Sequence, residues 1–149
     1  MLASELVRRR LAAGLTQREL ADASGVSQPN IAAYERGRRP LTDSMAERLE
    51  PHLAVRPSRL LAEHRREVTR LAAEHGAVEV RVFGSVARGT DEPASDIDLL
   101  VRMQPGRTIF DLALLREDLA ELLGRRVDVV SEGALRGRGA EVLAEAVPL

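Results

Sequence analysis

Residues 78–102 read VEVRVFGSVARGTDEPASDIDLLVR, and the spacing within this stretch decides the fold of the C-terminal half. Val78 to Phe83 alternates apolar and polar side chains with a period of two, the pattern of a strand with its valines on one face. Gly84 to Ser95 is rich in Gly, Ser, Asp and Pro and reads as a loop. Asp96 to Arg102 reads as a second strand, closed by Pro105-Gly106. Within the loop, Gly84-Ser85-Val86-Ala87-Arg88-Gly89 places a glycine-serine turn between a strand and a short helix. Such a turn exposes backbone N–H groups and a hydroxyl that can cradle the phosphates of a triphosphate, and Arg88 adds a cation nearby. Asp96 and Asp98 stand two apart in a strand, so both carboxylates project from one face. A carboxylate pair of that kind can hold Mg²⁺, a hard cation, against phosphate oxygens.

Outward from this stretch, the C-terminal half continues as alternating helices and strands. Leu60 to His75 has Leu61, Val68, Leu71 and Ala72 at helical spacing and ends at Gly76. Thr108-x-x-Asp111 caps a helix with a stripe of Leu112, Leu115, Leu119 and Leu122, ended by Gly124. Arg126 to Val130 reads as a third strand and Gly139 to Val147 as a final helix. Asp128 is isolated among Val127, Val129 and Val130, where an unpaired charge would be costly. It is either paired with an arginine such as Arg81 or Arg126, or it is a third functional acid.

The first sixty residues carry only helical patterns. Leu2 to Ala13 has Leu2, Leu6 and Leu11 as its apolar positions and stops at Gly14. Thr16-Gln17-Arg18-Glu19 is a capping box that opens a helix running to Ser24, broken at Gly25. Ser27 caps the next helix, which tolerates Pro29 in its first turn and stops at Gly37. Thr42 opens a fourth helix with Met45, Leu49 and Leu53 on one face, and Ala54 to Ser58, containing Pro57, is the expected linker. Two helices joined by a tight glycine turn, with small Ala21 at their crossing, form a helix-turn-helix.

Composition narrows the function classes. A chain of 149 residues allows one ordinary domain or two small ones, and 44% hydrophobic residues suffice for a core. No apolar run is long enough to span a bilayer, and Met1 to Arg10 lacks the apolar core of a secretory signal, so a cytoplasmic protein without membrane partners is expected. The absence of cysteine excludes disulfides and thiolate metal sites, and 2% aromatic residues argue against a base-stacking surface for single strands. Charge is uneven. Residues 1–60 hold ten arginines against seven acids, and residues 61–149 hold twelve against sixteen. The basic half suits a nucleic-acid surface and the acidic half suits metal binding. All 22 basic residues are arginine, a compositional bias from which no function follows.

Two family resemblances follow from these residues. Leu15-Thr16-Gln17, Leu20-Ala21, Gly25-Val26-Ser27, Ile31, Glu35, Gly37 and Pro40 resemble the XRE family of phage-repressor-like helix-turn-helix domains. The resemblance implies an all-α DNA-binding domain over residues 1–56, with the helix from Ser27 in the major groove. Gln28 and Asn30 would read base edges, while Gln17, Ser27, Arg38 and Arg39 would complete the DNA surface. Arg10 and Glu35 would form the family's internal ion pair. Pro29 and Ala33 depart from many relatives by offering no side-chain hydrogen bond, and a lone module of this kind implies a dimer or larger assembly. The spacing Gly-Ser, ten residues, Asp-x-Asp, then a distal acid resembles the minimal nucleotidyltransferases of the polymerase-β superfamily. That implies an α+β domain over residues 62–149, a small mixed sheet with flanking helices. By this resemblance Gly84, Ser85 and Arg88 would bind nucleotide, and Asp96 and Asp98 would bind two Mg²⁺ ions roughly 3.5–4 Å apart. Asp128 would share the second ion and help deprotonate the attacking hydroxyl, with in-line attack on the α-phosphorus and release of pyrophosphate.

The chain beyond this core is short, which argues against a self-sufficient enzyme with its own acceptor-binding domain. Minimal nucleotidyltransferases commonly occur as MntA-type antitoxins beside HEPN-domain ribonuclease toxins. The resemblance implies transfer of AMP from ATP onto a tyrosine of the toxin, with the helix-turn-helix repressing the shared operon. A free-standing aminoglycoside-type nucleotidyltransferase and a non-catalytic antitoxin that masks its toxin are the alternatives. The assembly expected is a homo-oligomer or a toxin–antitoxin complex.

Overall fold

Capping side chains and glycines set the helix ends of the first 56 residues. Thr16 Oγ1 accepts from the Glu19 N–H at 3.1 Å while Glu19 Oε2 accepts from the Thr16 N–H at 2.7 Å, a reciprocal cap that starts one helix, and Gly25 ends it with a φ of 68°. In a computed structural model, which describes every residue except Arg136 and Arg138, the chain divides into two units, Met1–Arg56 and Pro57–Leu149, each with its own core.

The first unit consists of α1 (Ala3–Ala12), α2 (Gln17–Ser24), α3 (Gln28–Glu35) and α4 (Asp43–Leu49), the last followed by a 3₁₀ turn at Glu50–His52. Leu6, Leu20, Ala21, Val26, Ile31, Tyr34, Leu49 and Leu53 fill its core. The apolar face of α1 differs from the expected one. Leu6 is buried, but Leu2 and Leu11 are 74% and 57% exposed, and Arg10 is buried instead. Five residues turn an α-helix to about 140° from the starting face, so Leu11 cannot share a side with Leu6, whereas Arg10, four residues on, can. Ser27 stands at the N-cap of α3 yet makes no side-chain capping bond. Pro29 in the first turn, which needs no N–H there, starts the helix without it.

The second unit contains α5 (Pro57–Glu63), α6 (Arg65–Glu74), β1 (Ala77–Phe83), α7 (Gly84–Arg88), β2 (Ile97–Met103), α8 (Ile109–Leu123), β3 (Val127–Ser131), α9 (Gly139–Glu145) and β4 (Val147–Pro148), with a 3₁₀ turn at Glu132–Ala134. The sheet order is β3-β2-β1-β4; β1 lies antiparallel to β2 and β4, and β2 lies parallel to β3. Ile97, Leu99 and Val101 of β2 meet Val82 of β1 and Val127 of β3 on the face covered by α6 and α8, through Val68, Ala72, Leu115, Leu119 and Leu123. Alternation then sends Arg81, Phe83, Asp98, Leu100 and Asp128 to the opposite face. No helix among the described residues is long and apolar enough to cross a membrane.

Four local features differ from expectation. Pro57 begins α5 rather than lying in a linker, as the fixed φ of proline suits a first helical residue, and the buried Asp91 carboxylate accepts from the Ser58 N–H at 2.9 Å to hold that end. The amphipathic run to His75 is broken at His64 into α5 and α6. Val78 is 52% exposed because a register shift between Ala77 and Glu79 turns it out of the valine row. Val147 belongs to a strand, since the residue before a proline is pushed to extended backbone and proline itself is tolerated on a sheet edge.

Candidate active site

β1 delivers the chain to Gly84, where the backbone enters the left-handed region with a φ of 72°. A Cβ at this position would collide with Asp98 Oδ2, so only glycine lets the turn lie against that carboxylate. Across the sheet Phe83 is paired with Asp98 and Asp98 with Asp128, which puts one neutral and two acidic side chains in a row on the open face. Asp96 was expected within the strand beside Asp98, but it lies one residue before β2, in the loop, with its side chain 47% exposed. A single guanidinium spans the acids: Arg126 Nε is 3.9 Å from Asp96 Oδ2 and its Nη2 is 3.7 Å from Asp128 Oδ1. Arg81, the other partner considered for Asp128, pairs with Glu132 at 3.1 Å and Glu79 at 3.4 Å. Burial pushes the Asp98 carboxyl above the ordinary aspartate range, and the like charges of Asp128, Asp96 and Glu145 add to that while Arg88 opposes it.

The glycine-serine turn opens α7, a helix of five residues ended by Gly89. Its Gly84 N–H donates to Glu145 Oε2 at 3.0 Å, and Arg88 pairs with Glu145 Oε1. These two donors hold the Glu145 carboxyl below the ordinary glutamate range. Glu145 is the last residue of α9, more than fifty residues from either partner, and its place in the site was not foreseen from sequence. The available signal was indirect: a helix-ending acid just before the extended Val147-Pro148, and an arginine in the turn that needs a counter-charge.

The donor set suits the divalent ion that the spacing implies. All candidate ligands are carboxylate oxygens, the type Mg²⁺ prefers, and the raised Asp98 reports crowded negative charge that a cation would relieve. Among the described residues no three of His, Cys, Asp and Glu are gathered closely enough to hold an ion unaided. Mg²⁺ is commonly bound by one or two carboxylates plus substrate phosphates, so these acids fit a site completed by the nucleotide.

In the first unit, the DNA-facing candidates form two networks. Gln28 Nε2 donates to Gln17 Oε1 at 2.9 Å, Gln17 Nε2 donates to Glu35 Oε2 at 2.7 Å, and Glu35 accepts from Arg10 Nε at 2.6 Å. Burial alone would raise the Glu35 carboxyl, but the bonds from Arg10 and Gln17 and the charges of Arg10 and Arg36 outweigh it and hold it low. Asn30 Oδ1 accepts from Arg39 Nη1 at 3.1 Å, and the Arg39 guanidinium lies 5.6 Å from the centre of the Tyr34 ring. Exposed Ser27 and Arg38 join neither network.

A glycine-serine turn against an acidic row on a small mixed sheet defines a nucleotidyltransferase of the polymerase-β type. Residues 61–147 match the nucleotidyltransferase domain family and residues 6–60 match a helix-turn-helix family, so the chain belongs to the nucleotidyltransferase domain family and carries a helix-turn-helix domain before it. It is 37% identical over 89 residues to the protein adenylyltransferase MntA of Thermococcus cleftensis, covering 59% of this chain and 87% of that protein. A candidate protein adenylyltransferase of Methanocaldococcus jannaschii is 36% identical over 73 residues, covering 49% of this chain and 78% of its own length. A solved structure described as a candidate minimal nucleotidyltransferase is 53% identical with a TM-score of 0.56, covering 62% of this chain and 95% of that one.

Proposed function

We propose that the protein is an antitoxin that transfers AMP from ATP onto a tyrosine of a HEPN-domain ribonuclease toxin, and that α2 and α3 bind its operator. The observation that carries the catalytic reading is the Asp98–Asp128 register against the Gly84 turn. Similarity to proteins named protein adenylyltransferase supports a protein acceptor. Gly84 and Ser85 bind the β- and γ-phosphates, and Arg88 adds charge there. Asp96, Asp98 and Asp128 would hold Mg²⁺ together with oxygens of the triphosphate. Bound ions of this kind neutralise charge on the triphosphate and on the departing pyrophosphate. The acceptor hydroxyl oxygen attacks the α-phosphorus, the bond to pyrophosphate breaks, and the proton passes to Asp128. Alignment and charge stabilisation supply most of the rate. A protein that uses ATP and binds genomic DNA works in the cytoplasm, the location this reading carries with it.

The test is to incubate the protein with labelled ATP and Mg²⁺, offering a HEPN-domain toxin or a panel of aminoglycosides. The expected result is a mass increase of one or more AMP units on the toxin with wild type, absent with Asp96→Asn, and no labelled drug. Asp96→Asn should still bind the toxin yet fail to protect cells. Full protection by Asp96→Asn without a mass shift would leave a masking antitoxin, and labelled aminoglycoside would leave a drug-modifying enzyme.

A further inference from the structure

Two of the three groups assigned to the triphosphate already hold an anion. Gly84 N–H and the Arg88 guanidinium each bind one oxygen of the Glu145 carboxylate, as two oxygens of a phosphate would be bound. We propose that Glu145 is an internal competitor that fills the phosphate cradle in the nucleotide-free protein, so that nucleotide binding displaces the segment Gly139–Leu149. This rests on the nucleotide reading above.

Three observations support displacement over coexistence. A triphosphate placed on Gly84 and Arg88 would bring its oxygens to the position of the Glu145 carboxylate, and like charges in contact are strongly unfavourable even near a surface. The helix carrying Glu145 does not favour it either. Glu145 ends α9, where the partial negative charge of the helix terminus repels an acid, so its bonds to Gly84 and Arg88 hold it there. Finally, the segment is weakly anchored. Gly139 is the only buried residue of α9, Leu143 and Val147 are 40% and 44% exposed, and β4 has only two residues, one of them Pro148, which lacks an N–H. Leu149, half-buried against the core, adds one backbone bond, to Val80 O at 3.3 Å, and is the segment's main hold. Segments with few buried contacts open at low free-energy cost.

The experiment measures binding of a non-hydrolysable ATP analogue with Mg²⁺ to the full chain by calorimetry, without acceptor. If the cradle is open about a tenth of the time in wild type, Glu145→Gln and Glu145→Ala should lower Kd by about tenfold. Saturating analogue should also speed hydrogen exchange at the Ala146, Val147 and Leu149 amides of wild type while slowing it across α7. A Kd that is unchanged or raised in both variants, or slowed exchange at the C-terminal amides, would overturn the proposal and make Glu145 a brace for Arg88. Equal, measurable binding in wild type and variants leaves the nucleotide reading standing and removes only the competitor. No binding by any of the three proteins removes both. Circular dichroism of the variants checks that they remain folded.

Discussion

Gly84 combines a left-handed backbone with contact to Asp98 Oδ2, and both requirements exclude a side chain. Gly84→Ala should cost about 1–2 kcal/mol for the left-handed conformation alone. It also pushes the carboxylate out of the row it shares with Asp128. Displacing a reacting group by about 1 Å can cost about a hundredfold, so transfer should fall at least that far while most of the protein stays folded. Turnover and a thermal melt on the same preparation check both parts. Asp128 behaves differently. Its side chain is 42% exposed, close to the 47% of Asp96, and its nearest cation is an exposed Arg126 at 3.7 Å. Asp128→Asn should therefore abolish transfer but change stability by less than about 1 kcal/mol, the range of exposed ion pairs. The apolar neighbours in sequence suggested deeper burial, but β3 is an edge strand and its open face carries the acid to solvent.

Among the elements, α3 makes the sharpest prediction because its exposed face is already organised. Gln28 is held by Gln17, which is held in turn by Glu35. Gln28→Ala should lose about 1–3 kcal/mol of sequence discrimination. Arg38→Ala should weaken binding to all sequences and reduce the salt slope by about one, as expected for one phosphate contact. Fluorescence anisotropy on operator and scrambled duplexes at several salt concentrations separates the two. The elements most legible in the sequence are those whose cause is local: the capping boxes of α2 and α8, their αL glycines, and the strand pattern of β1. The Gly-Ser turn and the Asp-x-Asp pair belong with them, because both lie within fifteen residues of one another. Features set by distant partners were not legible. The shift at Val78 depends on β2, the short strand Val147–Pro148 depends on the edge of β1, and Glu145 reaches the site only because α9 returns to α7. The face of α1 differs for a helical reason: Leu11 lies about 140° from Leu6, while Arg10, four residues from Leu6, shares its buried side and pairs with Glu35 as the family resemblance implies.

At the scale of the whole molecule, Glu35 in the first unit and Asp98 in the second are shifted in opposite directions, and this predicts the order in which these two groups respond to acid. Glu35 is held low, so its pairing with Arg10 stabilises the first unit fully above the ordinary glutamate pKa and is lost as pH falls through the lower, folded value. Glu35→Gln leaves the Arg10 guanidinium without its charge partner and should cost about 3 kcal/mol at neutral pH. Asp98 is raised, so folding binds its proton and the ionised form is a penalty at neutral pH. That penalty is complete above the raised, folded pKa and disappears as pH falls toward the ordinary aspartate value. Asp98→Asn should therefore raise stability at neutral pH in the absence of metal, while abolishing transfer. Both differences from wild type should close on acidification, the Asp98→Asn gap first and the Glu35→Gln gap at lower pH. The chain offers a way to read the units separately. It has one tyrosine and no tryptophan, and Tyr34 is 4% exposed within the first core, so intrinsic fluorescence reports that unit. Hydrogen exchange of the β2 amides reports the second. If the Asp98→Asn gap has the opposite sign, the crowding of carboxylates at the site is already relieved by Arg88 and Arg126. If the gaps close in the reverse order, the buried Arg10–Glu35 pair does not control the acid response of the first unit.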